Sequence, residues 1–327
     1  MPSPSRRNVL ATGSAVGGAA FLTAGLPAQA SAAGLESAPI ARTVPTVPTS
    51  AISDPWRTVL DDADLVWQRM PKTWYEGPFL GNGFLGSGIY AEPGRETEAV
   101  RFNVQHSEVQ DHRPRFGSLF GLARLPIGHF TLEPVGAITG LDLRLGLRDA
   151  ELTGTLTTDR GTLAIRALVH TTRSVLAVEV TPSRGERDFR WVFRPAEAIS
   201  PRAAFKPLPE GYTGNPPAGI EEHDGVSAAV QPLLSGGQHV TAWRERTHGS
   251  RRTLYVHVTH SYPRATARGR ALAAVRKAAR LPYDGLAVTH RSWWHAAHAI
   301  TQLNSRSVTG RGRRDRCCRP VPACPRR

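Results

Sequence analysis

Cysteine is almost absent from this 327-residue chain: the three present, Cys317, Cys318 and Cys324, all stand near the C-terminus. Disulfides are thereby excluded as braces for everything that precedes them. The three do not make a metal site either. Structural zinc takes four ligands in a spaced tetrahedral set, and a vicinal Cys317-Cys318 pair does not supply one. Lysine is equally scarce, three residues against 38 arginines, which fits a GC-rich coding sequence. No Gly-x-Ser-x-Gly elbow occurs, so a hydrolase triad has no anchor. Beyond the N-terminal segment, no stretch is apolar enough to cross a membrane.

Charge is plentiful but unevenly placed. The formal net charge is +14. Residues 306–327 hold eight arginines against Asp315, which is +7 of it, and Arg6 and Arg7 supply two more. The remainder, near +5, is ordinary for a chain of this size, so the high isoelectric point does not mark a nucleic-acid face. The arginine-rich tail lacks interleaved aromatics for base stacking, and nucleic acid is not an expected partner. Residues 304–327 read as a disordered Arg- and Cys-rich tail. Their Arg, Pro, Gly and Cys content also matches an out-of-frame reading of GC-rich DNA.

The other end has a recognisable order. Arg6-Arg7 precedes an apolar, Ala- and Gly-rich stretch from Val9 to Leu26, followed by Ala28-Gln29-Ala30 or Ala30-Ser31-Ala32. A charged start, an apolar middle and an A-x-A end predict a cleaved signal over residues 1–32. The paired arginines point to twin-arginine export, hence a secreted, extracellular product with no membrane association after cleavage. Residues 33–53, rich in Ala, Pro, Thr and Ser, read as a disordered leader.

Between these ends the strand signals are dense. Residues 153–158 and 162–170 alternate about an Asp159-Arg160-Gly161 turn, and 239–247 and 253–260 about His248-Gly249-Ser250. Residues 174–181 and 188–194 read as further strands. Short strands at regular spacing predict a mainly β chain, an antiparallel β-sandwich over 54–262. Residues 199–217, rich in Pro and Gly, form a long loop, either a functional one or a surface excursion. The period then changes to helical over 265–281 and from 286 to about 303, which predicts linker helices over 263–303. Trp293 and Trp294 are adjacent and so face different sides of their helix. One fits against the β domain; the other requires a second partner.

Residues Gly81-x-Gly83-x-x-Gly86 match a dinucleotide fingerprint in letters. Context rejects it, because a strand rather than a helix follows. The glycines instead suit a tight hairpin with close backbone approach. From Asn103 to Arg113 the side chains of His106, Glu108, Asp111 and His112 are metal-capable, but no further ligand is fixed beside them; no metal and no cofactor is expected. The run reads as a polar, site-facing loop.

Leu80-Gly81-Asn82-Gly83-x-Leu85-Gly86, a strand, and then Glu98-x-Val100-x-Phe102-Asn103 resembles the start of the N-terminal β-sandwich of glycoside hydrolase family 95, which includes α-L-fucosidases. Thr289-His290-x-x-Trp293-Trp294-His295 resembles the helix that links that sandwich to a barrel. The resemblance covers about Trp56 to His295. It implies a large supersandwich, linker helices and an (α/α)6 barrel in which the sugar is cleaved. Where the family continues with an acidic pair and an aromatic, this chain has Val104-Gln105-His106-Ser107-Glu108, which departs from fucose specificity. The barrel falls outside this chain, so no catalytic residue is carried over and hydrolysis is not expected of it alone. The resemblance implies a carbohydrate partner, with Asn82 and Asn103 as candidate contacts and His106 and Glu108 beside them. An amide both donates and accepts, which suits sugar hydroxyls; Asn82 equally suits a turn. Trp74, next to Tyr75, offers a planar surface for a sugar ring or packs in the core. The alternative to a glycoside hydrolase domain is a stand-alone carbohydrate-binding or cell-surface module.

Overall fold

The computed structural model describes residues 54–311. The signal and leader expectations over residues 1–53, and the tail from residue 312 on, lie outside the described residues. Helix α1 (Asp54–Asp62) opens the described chain. Fourteen strands follow: β1 (Leu65–Trp67), β2 (Phe79–Gly81), β3 (Leu85–Ala91), β4 (Val100–His106), β5 (Gly128–Glu133), β6 (Ile138–Gly146), β7 (Glu151–Thr158), β8 (Gly161–Val169), β9 (Val175–Pro182), β10 (Arg190–Pro195), β11 (Gly219–His223), β12 (Val226–Pro232), β13 (Gln238–His248) and β14 (Arg251–Ser261). A short helix α2 (Gly117–Phe120) lies between β4 and β5, and α3 (Ala267–Ala278) and α4 (Tyr283–Arg311) end the chain's described part.

The strands form two antiparallel sheets, as the sandwich reading expects. The large one has the order β1-β6-β7-β8-β9-β14-β13-β12-β11, and the small one β10-β5-β4-β3-β2. Local chemistry sets the hairpins. Thr158 Oγ1 accepts from the N–H of Arg160 and of Gly161, which closes the β7–β8 turn. Gly249, at φ 61°, takes the left-handed conformation that the two-residue β13–β14 turn needs.

The inner faces of the two sheets meet in one core, where Phe102, Phe130, Leu132, Leu152, Leu156 and Leu163 are fully buried. The opposite face of the large sheet is covered by the helices. There Leu168, Val175, Ala177, Ala228 and Ala242 meet Ala267, Ala271, Leu272 and Val275 of α3. Strand β9 is therefore buried on both faces, which is why residues 175–178 form a continuous apolar run rather than an alternation.

Helix α3 starts where Ser261 Oγ accepts from the N–H groups of Thr266 and Ala267. Helix α4 is pinned along the β6–β7 connection. Tyr283 donates to Glu151 (2.9 Å), Arg291 pairs with the same carboxylate, and His295 Nε2 lies 2.6 Å from Asp149. This helix runs on to Arg311, eight residues past the boundary expected at 303, because between Gly285 in its first turn and Gly310 in its last neither proline nor glycine interrupts it. Trp293 and Trp294 are both half-buried and pack edge to face at 5.3 Å, so neither stands alone on an exposed face. Among the described residues no helix is long and apolar enough to cross a membrane.

Candidate functional site

The outer face of the small sheet carries an open groove of about 740 Å³. Strand register builds it. Phe79 of β2 pairs with Gly88 of β3, Gly88 with Asn103 of β4, Asn103 with His129 of β5, and His129 with Arg194 of β10. A second row runs through Gly81, Gly86 and Gln105. Alternation puts Phe102 and Val104 into the core and turns Arg101, Asn103 and Gln105 outward.

The glycines shape the floor. A Cβ at Gly81 or Gly86 would stand 3.1 Å from ring carbons of Phe79, so the absence of side chains lets that ring lie over the strand backbones. A Cβ at Gly88 would meet nothing within 4 Å. Phe79 and Phe84 are among the most exposed large apolar side chains, at 60% and 53%. Both line the groove. The amide of Asn103, half-buried in its wall, has no hydrogen-bond partner among the described residues.

Charge is arranged beside the amides. Arg101 makes two bonds to Glu92, at 2.8 and 2.7 Å, and His129 Nε2 lies 3.2 Å from the same carboxylate. Burial alone would raise the Glu92 pKa; the pull of Arg101, His129 and Arg194 outweighs it, and the pKa is lowered. Glu133, gripped by Arg95, Arg190 and Arg194, behaves alike, with burial again the opposing cause. Among the described residues no Asp or Glu lines the groove itself. His106 lines its end, with its ring 6.5 Å from that of Phe84. Burial first, then His257 and His260, pushes its pKa down to about 4, so it is neutral near pH 7.

Of the residues singled out in the sequence, the groove gathers Asn103 and His106. Glu108 sits on the turn after β4, exposed, and lines a neighbouring recess with His112, His260 and Tyr262. It does not share a strand face with His106, because β4 ends at His106. Trp74 is 69% exposed and packs edge to face on Tyr75 outside the groove. Asn82 is a clamp. Its amide nitrogen donates to His170 O and Ser174 Oγ on the β8–β9 connection, and its Oδ1 accepts from Phe84 N and Leu85 N. All its capacity is used, so it holds the β2–β3 hairpin against the large sheet instead of facing a ligand. Sequence reasoning missed Phe79, Phe84, Arg101, Gln105 and His129. The polar alternation Arg101-x-Asn103-x-Gln105 was the available signal.

The loop over 199–217 is tied down rather than loose. Tyr212 is buried and donates to Asp111 at 2.8 Å, and Arg113 pairs with the same carboxylate.

No protein-family model matches the chain, and no curated protein matches it. Among solved structures it is similar to a protein from the human microbiome described as a kojibiose phosphorylase, with a TM-score of 0.40 and 12% identity. The likeness covers 66% of this chain and 32% of that one, so the chain spans about a third of that structure's length.

Proposed function

We propose that this chain is a carbohydrate-binding β-domain of glycoside-hydrolase type that holds a sugar without cleaving it. The observation that carries the reading is the outer groove, where exposed Phe79 and Phe84 rings stand beside the unpaired Asn103 amide. Aromatic faces pack on the apolar C–H face of a sugar ring. Amides meet hydroxyls as both donor and acceptor, so Asn103 and Gln105 fix its orientation.

Glycoside hydrolysis needs two carboxyl groups flanking the bond, one kept protonated by a raised pKa. Among the described residues the groove has no carboxylate in its lining. The nearest on that face, Glu92 and Glu133, are held ionised by arginines. Binding is thus better supported than catalysis by this domain. The resemblance to glycoside hydrolase family 95 is consistent with a longer protein whose cleaving barrel is not in this chain. The Arg6-Arg7 signal pattern supports export.

Calorimetric titration with a panel of soluble oligosaccharides tests the reading. Saturable binding by the native chain is expected, lost in Gly88→Leu, which sets a bulky side chain between Phe79 and Asn103 without a steric clash at Cβ. Binding weakened about tenfold or more in Asn103→Ala is expected if one buried amide contact is lost. No binding across the panel, or glycoside cleavage well above background, overturns it. Fractionation of a host making Arg6→Lys/Arg7→Lys tests export, with retention inside the cell as the expected result.

A further inference from the structure

On the far side of the large sheet, arginines from two elements converge on one cleft. Arg244 and Arg246 lie two apart on β13, hence on one face of the strand about 7 Å apart. Arg276 stands in the last turn of α3 and Arg280 just beyond it. The four line a cavity of about 390 Å³ together with Asp224, the one acid of its wall among the described residues.

The charges do not cancel. Asp224 is engaged by Arg276 at 2.9 Å. Arg244, Arg246 and Arg280 have no carboxylate partner among the described residues. The Nε of Arg276 is shielded from solvent and makes no hydrogen bond. The cleft opens toward a second recess that shares Arg246 and Arg280. The acids there, Glu179 and Asp284, already face Arg166 and Arg251. Arginines at a helix C-terminus also complement its dipole. That accounts for Arg276 and Arg280 but not for Arg244 and Arg246 on the strand.

Three uncompensated guanidinium groups around one small cavity match an oxyanion with several acceptor oxygens, since each fork gives two parallel N–H bonds. We propose that this cleft is a binding site for a phosphate or sulfate group, separate from the outer groove. The group is either a free ion or the charged end of an ester. The cavity admits the charged group, and the open recess beside it accommodates whatever the ester carries.

The test is isothermal calorimetry of the full chain with inorganic phosphate, inorganic sulfate and a hexose phosphate. The double variant Arg246→Gln/Arg280→Gln removes two exposed guanidiniums, and Arg184→Gln, an exposed arginine on a different turn, is the control. The native chain and the control should bind at least one of the three saturably. The double variant should lose about tenfold or more in affinity, with an unchanged thermal midpoint. Binding of the inorganic ions assigns a free-ion site; binding of the hexose phosphate alone assigns an ester site. Absence of saturable heat with all three anions, or equal binding by the double variant and the control, overturns the proposal.

Discussion

The large sheet packs against different partners on its two faces, and its side chains differ accordingly. Its inner face meets another sheet through Leu152, Leu156, Leu163 and Phe130. Its outer face meets α3 through Ala177, Ala228, Ala242, Ala267 and Ala271. Stacked sheets stand about 10 Å apart, and large side chains must fill that gap. A helix laid on small residues comes closer, and its contact depends on the absence of bulk. The inner layer is therefore sensitive to loss of volume and the outer layer to its gain.

The largest effect should come from emptying the inner layer. Phe130→Ala removes a fully buried ring and is expected to cost about 3–5 kcal/mol, read from the denaturant midpoint. A loss below about 1 kcal/mol would mean the gap closes freely, and the contrast between layers would fail.

Acid should also act on the inner layer. His239 and His260 are register partners on β13 and β14, on the core side, and His106 extends the core-facing row of β4. Burial is the leading cause of lowered pKa values of about 3, 4 and 4 for His239, His260 and His106, against an ordinary 6.5. Further cations reach them: His112 and Arg270 act on His260, and His257 on His106. The folded state thus resists protonation that the unfolded chain accepts. Stability is full above about pH 6.5 and falls as the pH drops toward about 4. Midpoints of chemical unfolding across that window should decline, and less steeply in His239→Gln. A flat profile would refute this account.

In the outer layer, Ala271→Leu should cost about 1–3 kcal/mol by overpacking, although it adds apolar volume. A stabilised variant would show that the helix can lift without cost.

The two asparagines should differ, and the smallest effect on stability belongs to Asn103. Asn82→Ala leaves the hairpin donors and the β8–β9 carbonyl without partners and should cost about 1–3 kcal/mol. Asn103→Ala should change stability by less than about 0.5 kcal/mol while weakening sugar binding. Equal thermal midpoints for the two variants would remove the distinction between clamp and groove.

Much of this fold is visible in the chain. The turns at Asp159-Arg160-Gly161 and His248-Gly249-Ser250 are closed by neighbours in sequence, so local propensity reveals them. Helix α1 was not read, because it is short and precedes a dense run of strand signals. Helix α4 runs on to Arg311 through the first residues of the Arg-rich tail, which carry no apolar period to reveal it in the sequence. The site was legible only in part. Asn103 and His106 were found from a motif. Phe79 and His129 stand in one row with Asn103 only through the register of four strands.

By itself the sequence determined the β character of the chain, its hairpins and the helical change of period after β14. Each of these rests on interactions within a few residues. The tertiary structure alone decided which polar residues are spent and which are free. Asn82 finds its partners 88 to 92 residues away, and so becomes a clamp. Asn103 faces open space in the row of Phe79, two strand pairings away. A side chain's hydrogen-bonding capacity is fixed by its chemistry, but whether any remains for a ligand depends on distant groups that only folding brings near.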